Sequence, residues 1–391
     1  MTELLTAQGL ARFAEVAAGQ VGGETVPGLV ALVARGDQVH VEALGSLSLG
    51  GPPVRRDSMF RIASTTKPLS AAATLAVARE GLLSLEEPVD RLLPELAHRR
   101  VLRSIDGALD DTVPSERAPT VRELLTFTFG FGAAFEMFAS PEPWPIVAAA
   151  DELKLCTLGP PSPAEQPDPD TWIKALGSLP LMAQPGERWL YNTGASVLGV
   201  LVARATCVPF ADVLRTRIFE PLAMRDTALW TTDTDRLATA YIPTPDGLQI
   251  WDRPEGAWSS APAFGDGAAG LVSTVDDLLA FARMLARGGD PVLAGDDVRE
   301  MTRDQLSAEQ RKRAGGGFLG ARSWGFCQAV VTAGPRAGAF GWDGGLGTSW
   351  FVDPARDLTV IVLTQRLFES AHLPAVHVDL QEAAYAALPA S

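Results

Sequence analysis

Apolar residues recur at helical spacing from Leu10 to Ala18, which predicts an opening helix. The period then changes. Gly28-Leu-Val-Ala-Leu-Val-Ala34 and Val39 to Leu44 flank the turn-like Arg35-Gly-Asp-Gln38, and this pattern predicts a β-hairpin. Met59-Phe-Arg-Ile62 is a short strand candidate, and Thr65 to Glu80 is an Ala- and Leu-rich helix that stops at Gly81. Helical stretches at Thr120–Thr126, Ala195–Thr206, Phe210–Phe219 and Val275–Arg287 alternate with loops. The proline-rich run from Gly159 to Pro169 is a surface loop. Strands return at Trp324–Thr332, Thr348–Val352 and Leu358–Thr364, with Asp353–Asp357 as the turn between the last two, and a helix from Ala375 to Ala387 closes the chain. Strands at both ends with helices between predict one sheet built from distant segments and an inserted helical lobe. No internal repeat is present.

Composition narrows the classes. The 391 residues are 47% hydrophobic and 20% charged, which fits a globular protein. The balance of 33 Lys plus Arg against 47 Asp plus Glu, −14 in all, argues against a nucleic-acid or anionic-membrane partner. The first 21 residues carry Glu3, Arg12 and Glu15, so no signal-peptide core is evident, and no apolar run reaches the roughly 18 residues of a membrane span. A cytoplasmic protein is the expectation. Cys156, Cys207 and Cys327 are few and widely spaced and read as reduced, mostly buried residues.

Candidate chemistry starts at Ser64-Thr-Thr-Lys67. Only four lysines occur, and Lys67 alone has a serine three residues before it. Residues i and i+3 share a helix face, so the amine can reach the hydroxyl. A lysine at the positive end of a helix is poorly placed for stability, and a lowered proton affinity is a reason for it to be there. The alternative is a plain N-cap serine with a solvated lysine. Tyr191, one of three tyrosines, lies in the polar turn Pro185–Gly194 and is a candidate second base, or a half-buried ring bonded to a backbone carbonyl. The four glycines in Phe340-Gly-Trp-Asp-Gly-Gly-Leu-Gly-Thr-Ser349 let backbone N–H groups approach a substrate carbonyl, or simply make a bulged hairpin.

In this order the three features resemble the serine β-lactamase and penicillin-binding-protein superfamily, most of all its family VIII carboxylesterases. Ser64-Thr-Thr-Lys67 resembles the Ser-x-x-Lys element, Tyr191-Asn-Thr193 the Tyr-x-Asn element, and Trp342-Asp-Gly344 a Trp-x-Gly form of Lys-Thr-Gly. Leu124–Gly130 and Ala269–Thr274 resemble two further blocks of that family, and the likeness runs from about Gly28 to Gln365.

The resemblance implies an α+β, β-lactamase-like fold, an antiparallel sheet flanked by helices plus a mainly helical lobe. It is expected as a single domain of two lobes: an α/β lobe of about 1–63 and 315–391, and a helical lobe of about 64–314 with an insert at about 131–183. It also implies a serine hydrolase acting through an acyl-enzyme on Ser64, with Lys67 and Tyr191 moving its proton and the N–H groups of Ser64 and Gly345 as the oxyanion hole. Trp342, Asp343, Gly344, Asn192, Thr193, Phe127 and Phe135 are the expected substrate-binding residues. No cofactor and no metal is expected, and the partner is a small ester or amide.

Three departures refine this. The asparagine is shifted to Asn192 or replaced by Thr193, Phe127 stands where the family has histidine, and Trp342 stands where a lysine would meet a substrate carboxylate. Loss of that cation favours neutral esters over β-lactams. The alternatives on the same site are acyl transfer and β-lactamase or D-amino-acid peptidase activity, and outside catalysis a binding protein. A Ser-His-Asp hydrolase lacks its Gly-x-Ser-x-Gly elbow, and His40, His98, His372 and His377 read as surface or satisfied histidines. Phe135, Met137, Phe138, Trp144 and Trp172 in the insert form either an apolar wall over the site or a satellite core.

Overall fold

A computed structural model describes residues 4–22, 25–156, 159–314, 319–370 and 372–389. Its centre is a seven-stranded sheet: β1 (Gly28–Arg35), β2 (Gln38–Gly45), β3 (Ser323–Trp324), β4 (Ala329–Val330), β5 (Phe340–Gly344), β6 (Thr348–Asp353) and β7 (Leu358–Thr364). The order is β2-β1-β7-β6-β5-β4-β3, with every neighbouring pair antiparallel. The last strand of the chain therefore pairs with the first, Leu32 opposite Ile361.

The near-continuous apolar run of β1 follows from cover on both faces. Leu29, Ala31 and Val33 pack with α1 (Ala7–Gln20) and the C-terminal helix Ala375–Ala386, while Val30 and Leu32 join the larger core on the other side. That larger core continues from the sheet into α2 (Thr66–Arg79) and α3 (Thr193–Thr206). Helix α2 is buried from Thr66 through Val77, so it is covered on all sides.

Several sequence-based expectations are corrected. The helix Val275–Ala286, assigned to the helical lobe, packs on β1, β6 and β7, so a segment before residue 315 covers the sheet. Trp324–Thr332 is two short strands, because Cys327 adopts a left-handed φ of 55° and reverses the chain between them. The 210–219 segment is α-helical only to Leu214 and then widens into a π-turn over Arg215–Phe219. Helix Pro169–Ser178 begins on the last residue of the proline-rich loop, capped by Asp168. A hairpin of Ala240–Thr244 and Gly247–Asp252 was not expected. Cys156 is half-buried, Cys327 buried and Cys207 exposed. Among the described residues, no single helix is long and apolar enough to cross a membrane.

Candidate active site

The short strand Phe60–Arg61 leads into a 3-10 turn at Ala63–Thr65, which feeds α2. Ala63 holds a left-handed φ of 44°, an uncommon state for a residue with a Cβ, and Ser64 follows it at the mouth of a cleft. Strand β5 runs against this turn. A Cβ on Gly344 would lie 2.2 Å from the Ile62 carbonyl oxygen, so only glycine permits the approach. Thr348 on β6 donates its hydroxyl to the same carbonyl at 2.9 Å.

Lys67, in the first turn of α2 and three residues after Ser64, is fully buried. Its Nζ lies 2.7 Å from Ser64 Oγ and 2.9 Å from the Ala268 carbonyl oxygen. Burial pushes the Lys67 amine down to about 7, against the opposing pull of Asp266. The amine also sits 4.8 Å from the centre of the Tyr191 ring. Tyr191 is held by its backbone, which exchanges two hydrogen bonds with Ala133 at 2.8 and 2.9 Å. Its hydroxyl is hydrogen-bonded with Ser64 and accepts the Trp342 indole N–H at 2.8 Å. Burial raises the phenol above its ordinary range, so Tyr191 is a neutral hydroxyl.

The cleft in front of Ser64 has a volume of about 610 Å³. Phe135, Phe138, Leu346 and Phe368 supply apolar surface, and Arg322 and Asp343 line its polar side. Arg322 pairs with Asp343 at 3.0 Å and lies 5.0 Å from the Trp342 ring centre. Of the expected site residues, Ser64, Tyr191, Asn192, Phe135, Trp342, Asp343 and Gly345 border this cleft, and Lys67 lies behind Ser64.

Three do not. Phe127 is fully buried behind Tyr191, stacked among Trp189, Tyr191 and Trp324, so it supports the tyrosine rather than lining the cleft. Thr193 is buried in the first turn of α3, and Gly344 faces Ile62. The insert divides between both earlier readings: Phe135 and Phe138 line the cleft, while Trp172 lies in the core against Phe264 and Met137 and Trp144 pack on that core.

Sequence reading also missed residues. Asp266 lines the cleft and is almost wholly buried; the only local signal is an acid between glycines in Phe264-Gly-Asp-Gly267. Trp324 and Arg322 reach Trp342 only through the fold. His377 meets Ser349 Oγ through Nδ1 at 2.8 Å, but both are buried away from the cleft, and burial pushes the imidazole down to about 3. Among the described residues no group of three or more His, Cys, Asp or Glu side chains is arranged to hold a metal ion.

The family model described as Beta-lactamase matches residues 13–383. An uncharacterised protein of Mycobacterium tuberculosis (strain CDC 1551 / Oshkosh) is 36% identical, with 84% of this chain and 81% of its own length covered. Esterase EstB of Burkholderia gladioli is 32% identical over 92% of this chain and 91% of its own. Among solved structures, EstCE1, a hydrolase with promiscuous acyltransferase activity, is 25% identical with a TM-score of 0.80, covering 97% of this chain and 99% of that one. The chain belongs to the beta-lactamase family, and its relatives support a serine-hydrolase type of catalysis.

Proposed function

We propose that this protein cleaves carboxylic esters through a covalent acyl-enzyme on Ser64. The observation that carries the reading is a wholly buried Lys67 with its Nζ 2.7 Å from Ser64 Oγ. A neutral amine can spend one N–H on the Ala268 carbonyl and turn its lone pair to the serine hydroxyl. Lys67 takes the Ser64 proton as Oγ bonds to the acyl carbon. The oxyanion is received by the N–H groups of Ser64 and Gly345. Ser64 is early in a turn whose first internal bond runs from Thr65 N–H to Ile62, so its own N–H has no partner within that turn. The C–O bond then breaks, and the leaving alkoxide takes a proton from Lys67 by way of the Tyr191 hydroxyl. Water attacks the acyl-enzyme, gives its proton to the same pair, and frees the acid and Ser64.

Neutral esters suit the cleft. Trp342 brings no cation for a carboxylate, its N–H is committed to Tyr191, and Arg322 is already paired with Asp343. Phe135 and Phe138 offer apolar surface for the acyl or alcohol part. Acyl transfer to an alcohol uses the same acyl-enzyme and is the second reading, supported by the likeness to EstCE1, whose own description includes acyltransferase activity.

The test is Ser64→Ala. Cleavage of short-chain p-nitrophenyl esters is lost while the melting transition is retained, and near-normal turnover by the variant overturns the assignment. A panel of short esters, β-lactams and D-amino-acid amides separates the substrate classes.

A further inference from the structure

Three consecutive residues, Asp266, Gly267 and Ala268, are wedged between α2 and α3, and each engages a different side chain there. Ser196 on α3 donates its hydroxyl to Asp266 Oδ1 at 2.7 Å, and the same oxygen accepts the Ala268 N–H at 2.9 Å. Ser70 on α2 donates to the Gly267 carbonyl at 2.6 Å. The Ala268 carbonyl accepts from Lys67 Nζ at 2.9 Å. The wedge has no slack, since a Cβ on Gly267 would lie 2.4 Å from the Ala195 carbonyl oxygen.

We propose that Asp266 is a positioning residue for Lys67, its carboxylate bracing the turn that presents the Ala268 carbonyl and setting a negative charge opposite the amine. The inference rests on the reading of Ser64 as a nucleophile activated by Lys67. Lys67 is faced by Ser64 from its own segment, Tyr191 from the turn before α3, Cys327 from the β3–β4 hairpin and Asp266. Burial keeps the Cys327 thiol and the Tyr191 phenol protonated, so Asp266 is the group that can oppose the ammonium charge. Asp266 is faced by Lys67 and Ser196, and Cys156 of the insert feels its charge. Burial is the largest influence on the Asp266 carboxyl and raises it overall, against the opposing pull of the Ala268 N–H, the Ser196 hydroxyl and Lys67.

The test follows the rate at which a fluorophosphonate labels Ser64, as a function of pH, in the full chain. Wild-type labelling rises through a midpoint near the Lys67 value of about 7. Asp266→Asn keeps an acceptor for both hydrogen bonds but removes the charge, and it moves that midpoint down by about one unit. Asp266→Glu retains the charge and brings the midpoint back towards wild type, which a merely structural role does not predict. Ser196→Ala loosens the carboxylate and lowers the plateau rate severalfold. A midpoint for folded D266N that superimposes on wild type overturns the inference. If D266N does not fold, S196A decides: a plateau and midpoint both equal to wild type overturn it. Absence of wild-type labelling at every pH instead overturns the reading of Ser64 as nucleophile, and this inference with it.

Discussion

Trp342 donates its indole N–H to the Tyr191 hydroxyl at 2.8 Å, at the position where the family resemblance leads one to expect a lysine. A side chain expected to meet substrate thus also orients the hydroxyl proposed to carry the Ser64 proton. Trp342→Phe keeps an aromatic ring and removes the donor. It lowers kcat by about tenfold, in line with the loss of one buried hydrogen bond, and changes KM less. Steady-state kinetics on a short-chain ester check this.

In the proposed mechanism Lys67 must be neutral to accept a proton, and its amine is held at about 7. The value of kcat/KM therefore rises about tenfold per pH unit below 7 and levels off above it. Lys67→Arg, which cannot deprotonate, loses activity by about 10³-fold at every pH. Stability follows the same group. Between about 7 and the ordinary 10.5 the unfolded chain retains a proton that the folded chain has released, so the Lys67 contribution to stability grows as pH rises through that window. Denaturant midpoints measured across it show the gain.

Gly344→Ala forces a methyl group against the Ile62 carbonyl, a collision of backbone with backbone. Strand β5 must move from the turn that carries Ser64, at a cost of about 1–3 kcal/mol. Gly345 moves with it, so kcat falls while KM for the ester changes little. Thermal unfolding and kinetics on the same preparation measure both effects.

Phe127 and Phe138 separate support from substrate contact. Phe127→Ala empties part of the cluster behind Tyr191 and destabilises the fold by about 3–5 kcal/mol. Phe138 is 61% exposed at the cleft, and Phe138→Ala leaves the melting transition nearly unchanged while raising KM for apolar esters about three- to tenfold.

What could be read in the sequence was local. Ser64 and Lys67 are one helical turn apart, and the runs of β1 and β7 are apolar enough to reveal strands. Phe127 misled because a motif position states only that a ring is present, not whether it faces the cleft or stands behind Tyr191. The break in Trp324–Thr332 depends on one left-handed residue, Cys327, whose type does not announce it. Asp266 and Lys67 are about two hundred positions apart, and no periodicity joins them; the segment 266–268, hydrogen-bonded to both α2 and α3, brings them together.

The aromatic cluster has a consequence for measurement. Trp189, Trp324 and Trp342 all have ring centres within 6.3 Å of the Tyr191 ring centre, three of the nine tryptophans in the chain. On the proposed mechanism, acylation of Ser64 alters the hydrogen bonding of that tyrosine and the polarity beside those indoles. Intrinsic fluorescence thus becomes a clock for the reaction: a stopped-flow trace with an unlabelled ester resolves formation and decay of the acyl-enzyme without a chromogenic leaving group.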